Sequence, residues 1–199
     1  MPRTVDPALH ARRRETILEA AARLFAEQGF EWTTVAQIAS AAGVSSGSVF
    51  YYFDDKPSVF RAVFEQALPE NEALIARHQG TEEPFAAILD VVSGLAADAE
   101  DPNAAGMVVE LLRRIGHDEQ LGAVVERASE VVREGLTGLV ARGIEAGTVD
   151  PALDPADTAT WLENIVDAAY LGARPGHSPL PELRRTVARY LEPARTETA

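Results

Sequence analysis

The chain has 199 residues, is 46% apolar and carries a formal net charge of −13 at pH 7. It contains no cysteine, which excludes disulfides, iron–sulfur clusters and thiol nucleophiles together. No apolar run approaches the ~18 residues of a membrane span. The N-terminal text MPRTVDPALHARRR has no apolar stretch after its basic residues, so a cytoplasmic protein with no membrane partner is expected.

The negative charge is unevenly distributed. Residues 1–66 carry 7 basic and 8 acidic side chains, a balance of −1, and residues 67–199 carry the remaining 11 and 23, a balance of −12. Exposed charges are screened beyond about 8 Å at physiological salt. A locally basic N-terminal part (Arg3, His10, Arg12, Arg13, Arg14) is therefore compatible with phosphate despite the acidic total. The acidic half reads as a solvated surface.

In chain order, residues 1–9 hold Pro2 and Pro7 and read as a flexible arm. Arg12 to Arg14 opens a helix reaching about Gln28. Its apolar residues Ile17, Leu18, Ala21, Leu24 and Phe25 recur at a spacing that only a helix gathers on one side. Gly29 ends it, and Phe30 and Trp32 are expected to pack a three-helix core.

Residues 33–56, TTVAQIASAAGVSSGSVFYYFDDK, read as a helix-turn-helix. Thr34 can cap a short helix, with Gln37 completing a capping box. Gly43 supplies the left-handed turn residue. Ser45 caps a second short helix through Phe53. Two short helices across a glycine-containing turn place the second in a major groove. That helix presents Ser45, Ser46, Gly47 and Ser48, with no Arg, Gln or Asn for a bidentate base pair. Gln37 is then a candidate base reader, and Phe50 a candidate for a thymine methyl. Thr33, Thr34, Tyr51, Tyr52 and Lys56 suit phosphates, which set register and supply most of the affinity. One of the two tyrosines is expected in the core with Phe53. The arm either follows the DNA backbone or frays as a soluble terminus.

The text T-T-V-A-Q-I-A-x-x-A-G-V-S-x-G-x-V-F-Y-Y-F-x-x-K resembles the DNA-binding domain of the tetracycline-repressor (TetR) family of bacterial transcriptional regulators. The likeness is sharp over residues 10–66 and beyond them extends only to a helix plan. Lys56, the single lysine beside 17 arginines, stands where the family pattern has a phosphate-contacting lysine. Phe50 replaces a usual tyrosine, and Asp54 stands where a basic residue is common.

A fourth, long helix is expected from Asp55, with Lys56 and Pro57 in its first turn and Pro69 kinking it or ending its first part. Further helices are expected over residues 70–79, 84–99, 104–116, 118–146, 155–172 and a last segment marked by Leu183, Val187, Tyr190 and Leu191. No strand-like alternation or repeat is found. The expected fold is all-α, with about nine helices. Residues 1–55 would form the DNA-binding domain, and residues 56–199 a ligand-binding and dimerisation bundle.

The resemblance implies a homodimer reading a pseudo-palindromic operator on double-stranded DNA. It places the dimer interface on the last two helices, through Trp161, Leu162, Ile165, Val166, Tyr170, Leu183, Val187 and Tyr190. These stripes could instead close the monomer core. The small residues Ala168, Ala169, Gly172 and Ala173 allow close helix approach. The resemblance also implies a small-molecule effector pocket, for which Phe64, Phe85, Leu89, Met107, Glu110, Leu111, Val125 and Trp161 are candidates. Each could equally be simple core. Glu110 and Arg114, four apart, form a surface pair or face inward to a polar ligand. His78, His117 and His177 lack metal-ligand spacing, so no metal, cofactor or catalytic residue is expected.

The sequence reading is a ligand-responsive, sequence-specific transcriptional regulator, acting as a repressor released when the effector binds. A regulator of the same fold without a small-molecule ligand is one alternative. An enzyme on a helical scaffold is another, without the convergent titratable groups that catalysis needs.

Overall fold

A computed structural model describes residues 7–172, 174 and 176–194. Arg3 of the expected arm, together with Ala173 and Pro175, lies outside the described residues. The described chain is all-α: ten α-helices, a short 3-10 turn at Ala97–Glu100, and one isolated bridge between Arg174 and His177. The helices are α1 (Pro7–Gln28), α2 (Val35–Ala41), α3 (Ser46–Tyr52), α4 (Lys56–Phe64), α5 (Ala67–Ala76), α6 (Pro84–Leu95), α7 (Ala104–Arg114), α8 (Glu119–Glu145), α9 (Pro155–Gly172) and α10 (Leu180–Leu191).

The expected long fourth helix is two helices here, interrupted at Glu65 and Gln66. Pro69 explains where the break falls. Its ring would clash with the carbonyl four residues earlier, that of Glu65, and it has no N–H to give that carbonyl. Pro69 itself is then accommodated in the first turn of α5.

Two units emerge, and neither is continuous in sequence. One is Met1–Gln66 with Gly106–Val124, and the other is Ala67–Ala105 with Val125–Ala199.

The first unit is built on an aromatic cluster. Phe25 lies 5.5 Å from Phe30 and 5.1 Å from Phe60, and Phe30 lies 5.3 Å from Phe60, ring centre to ring centre. Such ring pairs add roughly 0.5–1.5 kcal/mol each beyond the area they bury. Ile17, Leu18, Ala21, Ile38, Val49, Phe53 and Val59 complete this core. The α7 segment joins it at close range. A Cβ on Gly106 would stand 2.6 Å from the Ala26 carbonyl oxygen, so only glycine fits there.

The second unit buries Ile88, Val91 and Val92 of α6, Leu136, Leu139 and Val140 of α8, Leu162 and Val166 of α9, and Leu183, Val187 and Leu191 of α10 in one cluster. Two aspartates cap helix starts. Asp118 accepts from the Leu121 amide to start α8, and Asp154 accepts from Ala156 and Asp157 to start α9. The Tyr170 hydroxyl donates to the Leu95 carbonyl at 2.7 Å. Burial, with Asp98, Asp167 and Glu70 nearby, pushes its pKa up to about 12.

Candidate nucleic-acid interface

The helix-turn-helix is assembled by local chemistry. Thr34 caps α2: its hydroxyl accepts from the Gln37 amide at 3.2 Å, and the Gln37 carboxamide oxygen accepts from the Thr34 amide at 2.8 Å. This is the capping box read from the sequence. Gly43 takes a φ of +66° in the turn, a conformation that glycine reaches without strain. Ser45 caps α3 by accepting from the Ser48 amide at 3.1 Å, and the two hydroxyls lie 3.0 Å apart. Val49 is buried beneath α3. Asp55 caps α4 through Ser58.

The face left to solvent is the one expected to meet DNA. Ser45 and Gly47 are exposed, and Ser46 and Ser48 are half-buried. Phe50 is 53% and Tyr51 66% exposed. Tyr52 is half-buried, and its ring centre lies 4.5 Å from that of His10 on α1. His10 also meets Tyr51 edge-on at 5.8 Å. Of the two tyrosines, Tyr52 is thus the inner one, beside the buried Phe53. Arg14 pairs with Glu65 at 3.4 Å and lies over the Phe53 ring.

Three expectations change. Trp32 is not core: it is 80% exposed, while Phe30 is buried. Thr33 is fully buried. Its hydroxyl donates to the Gly29 carbonyl at 2.8 Å, lies 3.3 Å from the Leu24 carbonyl, and accepts from the Gln28 side chain at 3.1 Å. That side chain is committed inside the unit and does not face a phosphate. Lys56 turns inward too. Its Nζ donates to the Phe30 carbonyl at 2.7 Å and the Glu31 carbonyl at 3.3 Å, 4.2 Å from the centre of the Phe30 ring. Burial lowers its pKa below the usual lysine value, with Glu31 opposing and Arg114 assisting.

The α7 segment contributes a second set of polar groups to the same turn. Glu110 is 6% exposed. Its carboxylate accepts from the Phe30 amide at 2.9 Å and from Arg113 at 2.8 Å. The Arg114 guanidinium lies 3.4 Å from the Phe30 ring centre and pairs with Glu31 at 3.3 Å. Arg61 of α4 pairs with Asp118 at 3.0 Å. Burial alone would raise the Asp118 pKa. The Leu121 amide and Arg61, with Arg114 nearby, outweigh it and hold the carboxyl below its usual range. Glu110 and Arg114 therefore do not pair with each other, because each has a partner in the 29–31 turn. Sequence spacing could not reveal these partners, which lie some 80 residues away.

The expected effector residues fall in both units. Phe64, Met107, Glu110 and Leu111 belong with the helix-turn-helix, and Phe85, Leu89, Val125 and Trp161 with the other. Phe85 and Leu89 pack against the second core, and Trp161 is 51% exposed. None of the eight lines an open groove of about 790 Å³ in the second unit. Its walls are α5 and α8, with Ile75, Val131 and Leu139 as apolar lining and Glu72, Glu134, His78 and Arg142 as polar groups. Arg142 donates to the His78 carbonyl at 3.4 Å, and its buried Nε has no hydrogen-bond partner. Among the described residues, no three His, Asp or Glu side chains gather to hold a metal, and no helix is long and apolar enough to cross a membrane.

Residues 17–63 match the family model described as "Bacterial regulatory proteins, tetR family". The chain belongs to the TetR family. Its DNA-binding module is the helix-turn-helix built above, and this family regulates transcription and does not catalyse reactions. The chain is 28% identical over 181 residues to the HTH-type transcriptional repressor KstR2 of Rhodococcus jostii, covering 89% of this chain and 87% of that one. A TetR transcription regulator from Haloarcula marismortui superposes with a TM-score of 0.76 at 24% identity, covering 91% of this chain and 97% of that one. FadR from Bacillus subtilis in complex with stearoyl-CoA superposes with a TM-score of 0.73 at 22% identity, covering 88% and 95%. At these identities the two structures show a shared fold.

Proposed function

We propose that the chain is a cytoplasmic, dimeric repressor that reads a pseudo-palindromic operator and is released from it by a small amphipathic effector. The observation that carries DNA reading is the capped α2–turn–α3 module, whose exposed end offers Ser45, Gly47, Phe50 and Tyr51. Thr34, Gln37, Ser46, Ser48 and Tyr52 complete the contact surface. The sequence-based division at residue 55 moves: the unit of residues 1–66 with 106–124 supplies binding, and residues 67–105 with 125–199 supply regulation. Repression is supported by likeness to KstR2.

Two features support the regulatory half. Helices α9 and α10 keep apolar side chains outside the core: Trp161, Leu171 and Tyr190 are exposed, while Leu162, Val166, Leu183 and Val187 are buried. The outward set is the surface for a second copy. The α5–α8 groove has the volume of a small-ligand site. Its apolar lining suits a hydrocarbon chain, and the unpartnered Arg142 Nε suits an anionic or carbonyl head. An acyl-type effector fits that description, in keeping with the stearoyl-CoA bound by FadR.

Selection of duplexes from a random library by purified protein, at fixed low salt, tests the reading. A pseudo-palindrome should be enriched, and a groove ligand should release it. Enrichment of no sequence by a folded, ligand-free dimer would overturn the proposal.

A further inference from the structure

The largest exposed side chain next to the helix-turn-helix is Trp32, whose hydrophobicity alone predicts a core position. The turn that carries it is unusually well fixed. The Thr33 amide donates to the Phe30 carbonyl at 3.2 Å. The Thr33 hydroxyl donates to Gly29, Lys56 donates to the carbonyls of Phe30 and Glu31, and Glu110 accepts from the Phe30 amide. Phe30 and Thr33 both point into the unit. Trp32 is what this pinned turn holds out to solvent, at 80% exposure. A large amphipathic side chain on a rigid backbone loses little conformational freedom on contact, and indole carries one N–H donor.

We infer that Trp32 is a DNA-backbone contact: its ring lies against the sugar–phosphate chain and its Nε1–H donates to a phosphate oxygen. The inference rests on the DNA-reading function proposed above and adds a residue to it. Continuity decides the occupant. Trp32 is two peptide links from Thr34, the cap of α2, so their Cα atoms are within about 7.6 Å. Whatever surface meets the start of α2 also meets Trp32. The neighbouring Glu31 would repel phosphate, but its carboxylate is paired with Arg114, and the Lys56 ammonium lies against its carbonyl. Two side chains given phosphate roles by the sequence, Thr33 and Lys56, instead hold the turn that presents Trp32. They act as positioning residues.

The chain has two tryptophans, so the emission change of wild type that is missing from Trp32→Phe belongs to Trp32. Both full-length proteins, each with Trp161 intact, are titrated with a dye-labelled duplex of the selected sequence, and with an unrelated duplex at low salt. Anisotropy of the dye reports DNA binding, and the difference in indole emission reports Trp32. The expected result is a shift or quench of emission that saturates together with anisotropy on both duplexes. In the wild-type background, Trp32→Ala should weaken both by about tenfold or more, as expected for one hydrogen bond to a charged group. Trp32→Phe, which keeps a ring and loses the N–H, should fall between. Normal anisotropy with unchanged emission, and full affinity in Trp32→Ala, would overturn the inference and leave DNA reading intact. Emission that shifts with protein concentration and not with DNA would assign Trp32 to a protein contact and also overturn it. No binding to either duplex would remove the DNA reading itself.

Discussion

Glu110→Ala is the most informative single perturbation of the first unit. The change removes the acceptor for the Phe30 amide, a bond of 2.9 Å inside the fold. An amide left buried and unpaired costs about 1–3 kcal/mol. The lost Arg113 pair adds little, because that guanidinium is largely exposed and exposed pairs are worth about 0–1 kcal/mol. The expected loss is about 2–3 kcal/mol. Glu110→Gln keeps a carbonyl acceptor at the same reach and should lose about 1 kcal/mol, and Arg113→Ala less than that. Hydrogen exchange of the 29–34 segment is the assay, because it reads this turn directly. Glu110→Ala should speed exchange there by about 30-fold, the equivalent of about 2 kcal/mol. Exchange in Glu110→Ala matching wild type within a factor of two would show that the turn does not depend on this carboxylate.

Three further outcomes follow from the geometry. Asp118 has a folded-state pKa below its unfolded value, so its stabilisation is complete above the ordinary carboxylate value of about 3.9 and is lost as pH falls through the folded value. Asp118→Asn should lower stability at neutral pH and flatten the acid limb below about pH 4 in a denaturant series. An unchanged acid limb would remove Asp118 as its source. Gly106→Ala would press a methyl to 2.6 Å from the Ala26 carbonyl, which should cost about 1–3 kcal/mol by overpacking. Thermal melting by circular dichroism checks this, and a wild-type melt would mean that α7 shifts freely. The Tyr170 hydroxyl, at about 12, stays neutral in the fold above the ordinary tyrosine value of about 10. Its contribution should therefore fall away as pH rises from about 10 to 12. Absorbance titration near 295 nm should lose one late-ionising phenol in Tyr170→Phe, and identical curves would refute the assignment.

The helix-turn-helix was legible because its determinants are neighbours in sequence. Thr34 and Gln37 find each other across one helical turn, Ser45 finds the Ser48 amide, and Gly43 sits where the chain reverses. The 29–34 turn was not legible for the opposite reason. Hydrophobicity puts Trp32 inside and Thr33 outside, and the fold does the reverse. Thr33 can be buried because backbone carbonyls satisfy its hydroxyl. Trp32 is out because the 30–33 hydrogen bond fixes which residues of the turn point inward. The inward roles of Glu110 and Lys56 depend on partners 80 and 26 residues away, which no periodicity encodes. The last two helices were half legible. Their apolar stripes were read as one interface, and the fold divides them into a buried set and an exposed set.

The insertion of residues 106–124 into the N-terminal unit has a consequence for how the protein is made. A reading head composed only of residues 1–66 could complete itself as soon as that segment left the ribosome. This one lacks the acceptor for its Phe30 amide, the partner of Arg61 and the cover over its aromatic cluster until residue 118 and its neighbours are synthesised. At about 5–20 residues per second, that is a delay of several seconds. During it, the helix-turn-helix exists as a nascent, unsealed element, and sequence-distant contacts of this kind also slow folding. The helix-turn-helix unit is therefore complete only after residues 67–105 of the other unit and its own residues 106–124 have been translated, so a chain truncated before α7 is expected to lack the seal over its aromatic cluster.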